Sequence, residues 1–402
     1  MRKLLITGLI LAAIVAGAAF YLIATTPSGG GIAFPLDAKC RAMIAHVPES
    51  AEAFALVPGA AALDAKLRAN PVTRNALESW TAKQQLPRPW MIGDADLLAW
   101  RNGEGRTRYY LRLDPLRALL VRAYVMIRGD IGNTIVINAP AEEPINAADR
   151  DAIIALAGKL PAGDALVVQR VSSRGAYPPI ARPAVSSVRV APNEIDVVSR
   201  AASTDPASGP LAAHFDDHAL LSTSFSSPPR LVHDLDRLVG GDVAALFDNG
   251  GEIAIYDIET GKLLPRPICV FVLPDDAQRA AALDRLQSML QAGSALGVRP
   301  RVQRYAGRLL LSFDDSVSTY INDAPREAGW PSARWAVRLD PSRLGPIASK
   351  LSSDIGLRIA APRVFRSARD ADRWIAALQQ AKSIDAIDAT DGAAEELRVA
   401  IK

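Results

Sequence analysis

An uninterrupted apolar run, residues 4–24 (LLITGLILAAIVAGAAFYLIA), constrains this chain more than any other feature, because no side chain in it is charged. A helix needs about 20 apolar residues to cross the hydrocarbon core of a bilayer. Backbone can cross lipid only with its own hydrogen bonds closed, and a helix closes them. Arg2 and Lys3 are the charges on the N-terminal side, which leaves Met1 in the cytoplasm and sends the rest of the chain outward. Tyr21 falls near the outer end, where an aromatic ring suits the interface. Two readings stand: an uncleaved signal anchor, or a signal peptide removed after small residues such as Ala16, Gly17 and Ala18. Length favours the anchor, since the apolar core of a signal peptide runs about 7–15 residues. Lipid attachment at Cys40 is disfavoured, because it lies well past the run, behind Asp37 and Lys39. The expected location is the bacterial inner (cytoplasmic) membrane, single-pass, with the bulk of the chain periplasmic or otherwise extracytoplasmic. Residues 25–44, which open with TTPSGGG, read as a flexible tether.

The rest of the 402-residue chain is long enough for two or three domains. Its 49% hydrophobic and 22% charged residues suit packed cores. A net charge of +3 argues for neither a nucleic-acid partner nor a polybasic membrane patch. Cys40 and Cys269 can pair in an oxidising compartment, or Cys269 can stay a buried free thiol in the apolar stretch PICVFVL; sequence leaves this open.

Beyond residue 45, short strands alternate with amphipathic helices. Strands are expected at residues 53–57, 97–101, 108–113, 134–138, 165–171, 185–190 and 194–199, and helices at 60–69, 115–127 and 147–159. Ala191-Pro192-Asn193 joins the last two strands as a hairpin. The second half follows a similar order. Residues 51–67 match 218–238, 96–100 match 252–256, 109–124 match 267–286, 133–140 match 308–315, 164–170 match 333–339, and 194–200 match 383–389. One phrase recurs almost literally: Arg112-Leu113-Asp114-Pro115-Leu116-Arg117 returns as Arg338-Leu339-Asp340-Pro341-Ser342-Arg343. Asp caps a helix N-terminus and Pro suits its first position, so the phrase reads as a strand-to-helix junction rather than a ligand clamp. Leu273-Pro274-Asp275 is a looser version.

The expected fold is α+β: an N-terminal transmembrane helix (1–24), the tether (25–44), repeat one (45–203), a linker (204–210) and repeat two (211–402), with mixed or antiparallel sheets. A terminal hairpin gives repeat two an antiparallel edge. With its anchor, these repeats and the phrase VPESAEAFALVP at residues 47–58, the chain resembles a bacterial class of N-terminally anchored extracytoplasmic proteins of unknown function. The resemblance implies strand–helix repeats and supplies no catalytic residues.

Chemistry is sparse. His214, Asp217, His218 and His233 form the one cluster with metal-ligand residue types. The segment lacks the Glu of H-E-x-x-H and precedes a strand, so a solvated turn is the favoured reading. No nucleophile elbow, S-x-x-K box or phosphate cradle is present. The serines of STSFSS (222–227) read as an exposed strand face, and the scattered tryptophans as core. No catalytic or cofactor-binding residue is expected, and no cofactor. The leading expectation is a non-enzymatic, membrane-tethered envelope protein that binds a protein partner or supports an assembly. The alternatives are a carrier of a lipid or other hydrophobic ligand, and a metal-dependent enzyme using His214, His218 and His233.

Overall fold

The computed structural model describes residues 32, 36–74, 89–93, 95–102, 107–128, 134–139, 143–170, 183–227, 243–248, 250–260, 266–292, 301–322, 326–360, 375–376 and 378–402. The apolar run at 4–24 and His233 lie outside the described residues. Among the described residues, no helix is long and apolar enough to cross a membrane. The protein is α+β, with large mixed and antiparallel sheet regions and several helices, and it divides into two compact units, Met1–Ala202 and Ser203–Lys402.

Unit one contributes strands β1 (Ala51–Val57), β2 (Asp96–Asn102), β3 (Thr107–Arg112), β4 (Ile135–Ile137), β5 (Ala165–Gln169), β6 (Ala184–Ala191) and β7 (Glu194–Ala202). Their order is β4-β3-β2-β1-β5-β6-β7. Only β3 and β4 are parallel, which requires a crossover, and the helix Pro115–Arg128 supplies it. Alternation along the strands splits the side chains between two cores. Leu98, Trp100 and Tyr110 face one, with Phe54, Leu56, Leu166 and the helix Ala147–Ala157; Leu97, Leu111 and Ile137 face the other, with Ala118 and Val121 of the crossover helix.

The chain is held in unit one earlier than the expected tether allows. Ile32 exchanges two backbone hydrogen bonds with Gly163, of 2.6 and 3.0 Å, and is 1% exposed. Leu36 is buried, and the helix Ala38–Ile44, capped by Asp37 onto Cys40 N at 2.7 Å, buries Cys40, Met43 and Ile44 in the same core. The tether expected over 25–44 is thereby shortened, because these residues are apolar and find a core to enter.

In unit two, β9 (Leu221–Phe225), β10 (Gly251–Glu259), β11 (Arg266–Pro274), β12 (Arg301–Tyr305), β13 (Arg308–Ser312), β15 (Trp335–Leu339), β16 (Ile384–Thr390) and β17 (Ala394–Ile401) pair antiparallel throughout, in the order β12-β13-β11-β10-β9-β15-β16-β17. A separate ribbon joins β8 (Leu211–Phe215) to β14 (Arg326–Trp330). Strands β11 and β13 are covered on both faces: Phe271, Leu273, Leu309 and Leu311 meet the helix Ala277–Ala292, while Val270, Val272 and Leu310 meet the helix Ser316–Asn322. Two-sided burial explains why these strands read as continuous apolar runs. The expected linker is also bound: Ser208 bonds the Thr390 backbone at 2.8 Å, and Arg334 reaches Asp205 at 2.8 Å.

The strand-to-helix junctions carry the expected capping chemistry. Asp114 accepts from Leu116 N and Arg117 N at 3.0 and 3.1 Å, and Asp340 from Ser342 N at 3.0 Å. At the looser junction Asp276, not Asp275, is the cap, accepting from Arg279 N at 2.9 Å; Asp275 instead meets Arg304 at 3.2 Å. Arg117 and Arg279 follow their caps by three residues, and both are buried, 5% and 0% exposed. Gly93, at φ +62°, leaves the Arg117 guanidinium its space, since a Cβ there would lie 1.6 Å from Nη1.

Two stability outcomes follow from this packing. Ile32→Ala should destabilise unit one by about 2–5 kcal/mol, the usual cost of truncating a core isoleucine. Hydrogen exchange at β1 and β5 in the full chain would read it, and unchanged protection would return residue 32 to a free tether. Among the described residues, two buried nitrogens of Arg279, Nε and Nη2, find no hydrogen-bond partner. Arg279→Met should therefore match or exceed the parent in urea resistance, and a loss of more than about 2 kcal/mol would contradict that account.

Candidate functional site

The recess of interest forms in unit one where several short segments converge. After the helix Ala38–Ile44 the chain turns, with His46 N donating to Met43 O at 3.0 Å. Residues 47–49 then pair with the segment before the Ala147–Ala157 helix: Ile145 N to Val47 O at 2.7 Å and Glu49 N to Glu143 O at 2.8 Å. This pairing sets His46, Pro48 and Ser50 beside Glu143. Trp100 and Asn102 come from the end of β2, Arg108 and Tyr110 from the start of β3, and Val136 and Ala139 from β4 and the residues after it. Together they line a cleft of about 430 Å³, within the range that small ligands occupy.

Its floor is aromatic. His46 stacks on Tyr110, ring centroids 4.7 Å apart and planes inclined by 17°. Trp100 and Tyr110 are buried, while Arg108 and Glu143 stand exposed at the rim. Burial, and secondly the charge of Arg112, lowers the His46 pKa, so the imidazole is neutral near pH 7. Burial raises the Tyr110 phenol, which stays protonated. The cleft thus offers a neutral stacking surface with opposite charges at its edge. That chemistry suits recognition of a peptide segment or a planar polar group.

Of the residues singled out from sequence, His214, Asp217 and His218 lie in unit two and engage different partners, and His233 lies outside the described residues. His214 sits on β8 and not in a solvated turn. Its Nδ1 is 2.9 Å from Glu252 Oε1 and its Nε2 is 3.3 Å from Arg308 Nη2, so both ring nitrogens are engaged. Arg308 also donates to Glu252 Oε1 at 2.6 Å, and Tyr320 donates to Oε2 at 3.4 Å. Burial, then the Glu252 charge, raises the Tyr320 phenol. His218 is 70% exposed on the turn that follows, with its backbone N–H held by Asp216 at 2.7 Å. Asp217 faces Arg338 at 3.5 Å. Among the described residues, no group of three or more His, Cys, Asp or Glu side chains could hold a metal ion.

Other expectations meet the structure unevenly. Ser222 and Ser224 lie on a buried strand face, 2% and 1% exposed, and not on an exposed one; small hydroxyls fit there, and Ser222 Oγ receives Asp216 N at 3.3 Å. Cys40 and Cys269 are both free and buried, and burial pushes the Cys40 thiol up to about 12, far from reactive. No sequence motif marks His46 or the cleft it lines. The available signal was alternation: Trp100 and Arg108 are cross-strand partners, as are Leu98 and Tyr110, which places them on one sheet face.

The depressed His46 pKa carries a pH consequence. The unfolded imidazole titrates near 6.5, so below that pH the unfolded chain binds a proton the folded one resists. The contribution is complete above about pH 6.5 and is lost as pH falls toward the lower folded value. Urea unfolding at pH 7.5 and pH 5 should show a smaller acid-induced drop in His46→Phe than in the parent; equal drops would remove His46 from the account. No protein-family model matches this chain, and neither a curated protein nor a solved structure gives a significant match.

Proposed function

We propose that this protein is a membrane-tethered extracytoplasmic binding protein, built from two related α+β repeats, whose unit-one cleft holds a segment of an envelope protein partner. The cleft around His46, Trp100 and Tyr110 carries this reading: it combines a stacking floor with rim charges from Arg108 and Glu143. Residues 4–24, with Arg2 and Lys3 before them, support the tether to the bacterial inner membrane and the export of the remainder.

Three observations support the repeat. From β1 outward, β2 and β3 lie on one side and β5, β6 and β7 on the other; from β9, the strands β10 and β11 and the strands β15, β16 and β17 take the same places. The capping aspartate followed by a buried arginine recurs at Asp114–Arg117 and Asp276–Arg279, after β3 and after β11. A buried carboxylate paired with a cation opens β2 and β10: Asp96 with Lys39 at 2.9 Å, and Glu252 with Arg308 at 2.6 Å. Two of the sequence matches need adjustment. Residues 194–200 belong with β17 rather than β16 by strand place, and β13 runs antiparallel to β11 where β4 runs parallel to β3.

Crosslinking in native membranes, followed by identification of the captured proteins, tests the binding role. A partner captured by the parent should be recovered about tenfold less with Arg108→Glu or Glu143→Lys, a change of roughly 1.4 kcal/mol. Undiminished capture by both variants, or a hydrolase or transferase activity abolished by one point mutation, would overturn the proposal.

A further inference from the structure

The crossover helix Pro115–Arg128 packs on the sheet through Ala118 and Val121, with Tyr124 and Val125 partly covered. Its outward face should then be polar, as on an ordinary surface helix. Instead Leu119 is 65% exposed, Met126 82% and Ile127 85%. With exposed Ala123 they fall at i, i+4, i+7 and i+8, a single stripe along the helix. The helix carries no acidic residue. Its exposed charges are Arg122 and Arg128, beside the stripe. A lone exposed leucine means little, but an aligned apolar stripe flanked by cations has the composition of a helix lying in a bilayer interface.

Chain length says what can cover this face. Ile32 is fixed in unit one, so only residues 25–31 separate it from the apolar run. Fully extended, they span at most about 25 Å, at roughly 3.6 Å per residue. The start of β5 beside Gly163, the end of β1, the start of β2 and the end of β3 are in register: Leu166 with Leu56, Val57 with Leu97, Asp96 with Arg112. The crossover helix therefore begins at the same strand end as Ile32, three strand spacings or about 15 Å across the sheet. It also covers the sheet face opposite the helix Ala147–Ala157 and the Trp100–Tyr110 side chains of the cleft.

We propose that the outer face of the Pro115–Arg128 helix docks on the bilayer that holds the N-terminal segment. Leu119, Met126 and Ile127 enter the apolar boundary, and Arg122 and Arg128 meet anionic lipid phosphates. The proposal rests on the reading of residues 4–24 as a retained anchor. It deepens that reading, because it turns the opposite sheet face, with the cleft, away from the lipid.

The test uses the full-length chain reconstituted in phosphatidylethanolamine–phosphatidylglycerol vesicles, with an environment-sensitive fluorophore on Met126→Cys or, on the opposite face, on Ala152→Cys. Cys40 and Cys269 are buried and should escape labelling. Nitroxide-labelled lipid should quench the probe at position 126 and leave that at 152 nearly unquenched. Adding Leu119→Asp and Ile127→Asp, both at exposed positions, should abolish the difference. Equal quenching at the two positions in protein that resists alkaline extraction overturns the docking while leaving the anchor standing. A probe at 126 that is shielded by a second copy or another protein, and not by lipid, overturns it as well. Release of the protein by alkaline extraction sinks both readings.

Discussion

The unit-one core is closed at its N-terminal side by a two-bond bridge, Ile32 to Gly163. The bridge needs glycine: a Cβ on residue 163 would lie 2.3 Å from Ser187 Oγ and 2.8 Å from Val188 O. With that space left open, the incoming chain closes both backbone bonds with Gly163 and buries the Ile32 side chain. An apolar residue after a glycine-rich stretch thus joins the core where composition suggests a flexible tether, and the hydrophobic gain of Ile32, Leu36, Met43 and Ile44 offsets the entropy lost in ordering them.

The same economy of local chemistry governs the junctions. A strand that ends in the core must hand over to a helix whose first N–H groups lack partners, and Asp114, Asp276 and Asp340 each accept one or more of them. The arginines at 117 and 279 then fold back on their own caps and are sealed beneath the helix. Burying a guanidinium beside one carboxylate contributes little net stability. The pairing therefore recurs at the two junctions without adding much to the stability of either.

Much of the fold was legible because strands and helices announce themselves by period. The helix at Ala60–Ala69 and the hairpin closed by Ala191 and Glu194 match the sequence reading, as do β1 to β6 within a residue or two, while β7 runs three residues past its expected end. What escaped were elements whose state is set by a distant partner. Strand β12 (RVQRY) is almost wholly exposed and becomes a strand only by pairing with β13; β8 is short and its partner β14 lies more than a hundred residues away. The His214 ring looks solvated in the sequence for the same reason, since Glu252 and Arg308 are invisible to a local window. The cleft escaped too. Its lining comes from residues 46–50, 100–102 and 108–110 together with Val136, Ala139 and Glu143, and none of these stretches carries a motif.

Under the proposed repeat, Trp100 and Tyr256 hold matched places on β2 and β10, and their surroundings show how two copies can part. Around Trp100 the chain leaves an open recess, with the stacked His46–Tyr110 pair as its floor. Around Tyr256 the equivalent polarity is satisfied internally: its hydroxyl donates to the buried Asp216 at 2.6 Å, and Arg343 caps its backbone carbonyl. A phenol can reach such a carboxylate, whereas an indole N–H is aimed differently and keeps one edge apolar. With tyrosine at this place the unit-two corner closes on Asp216, and with tryptophan the recess beside it in unit one stays open.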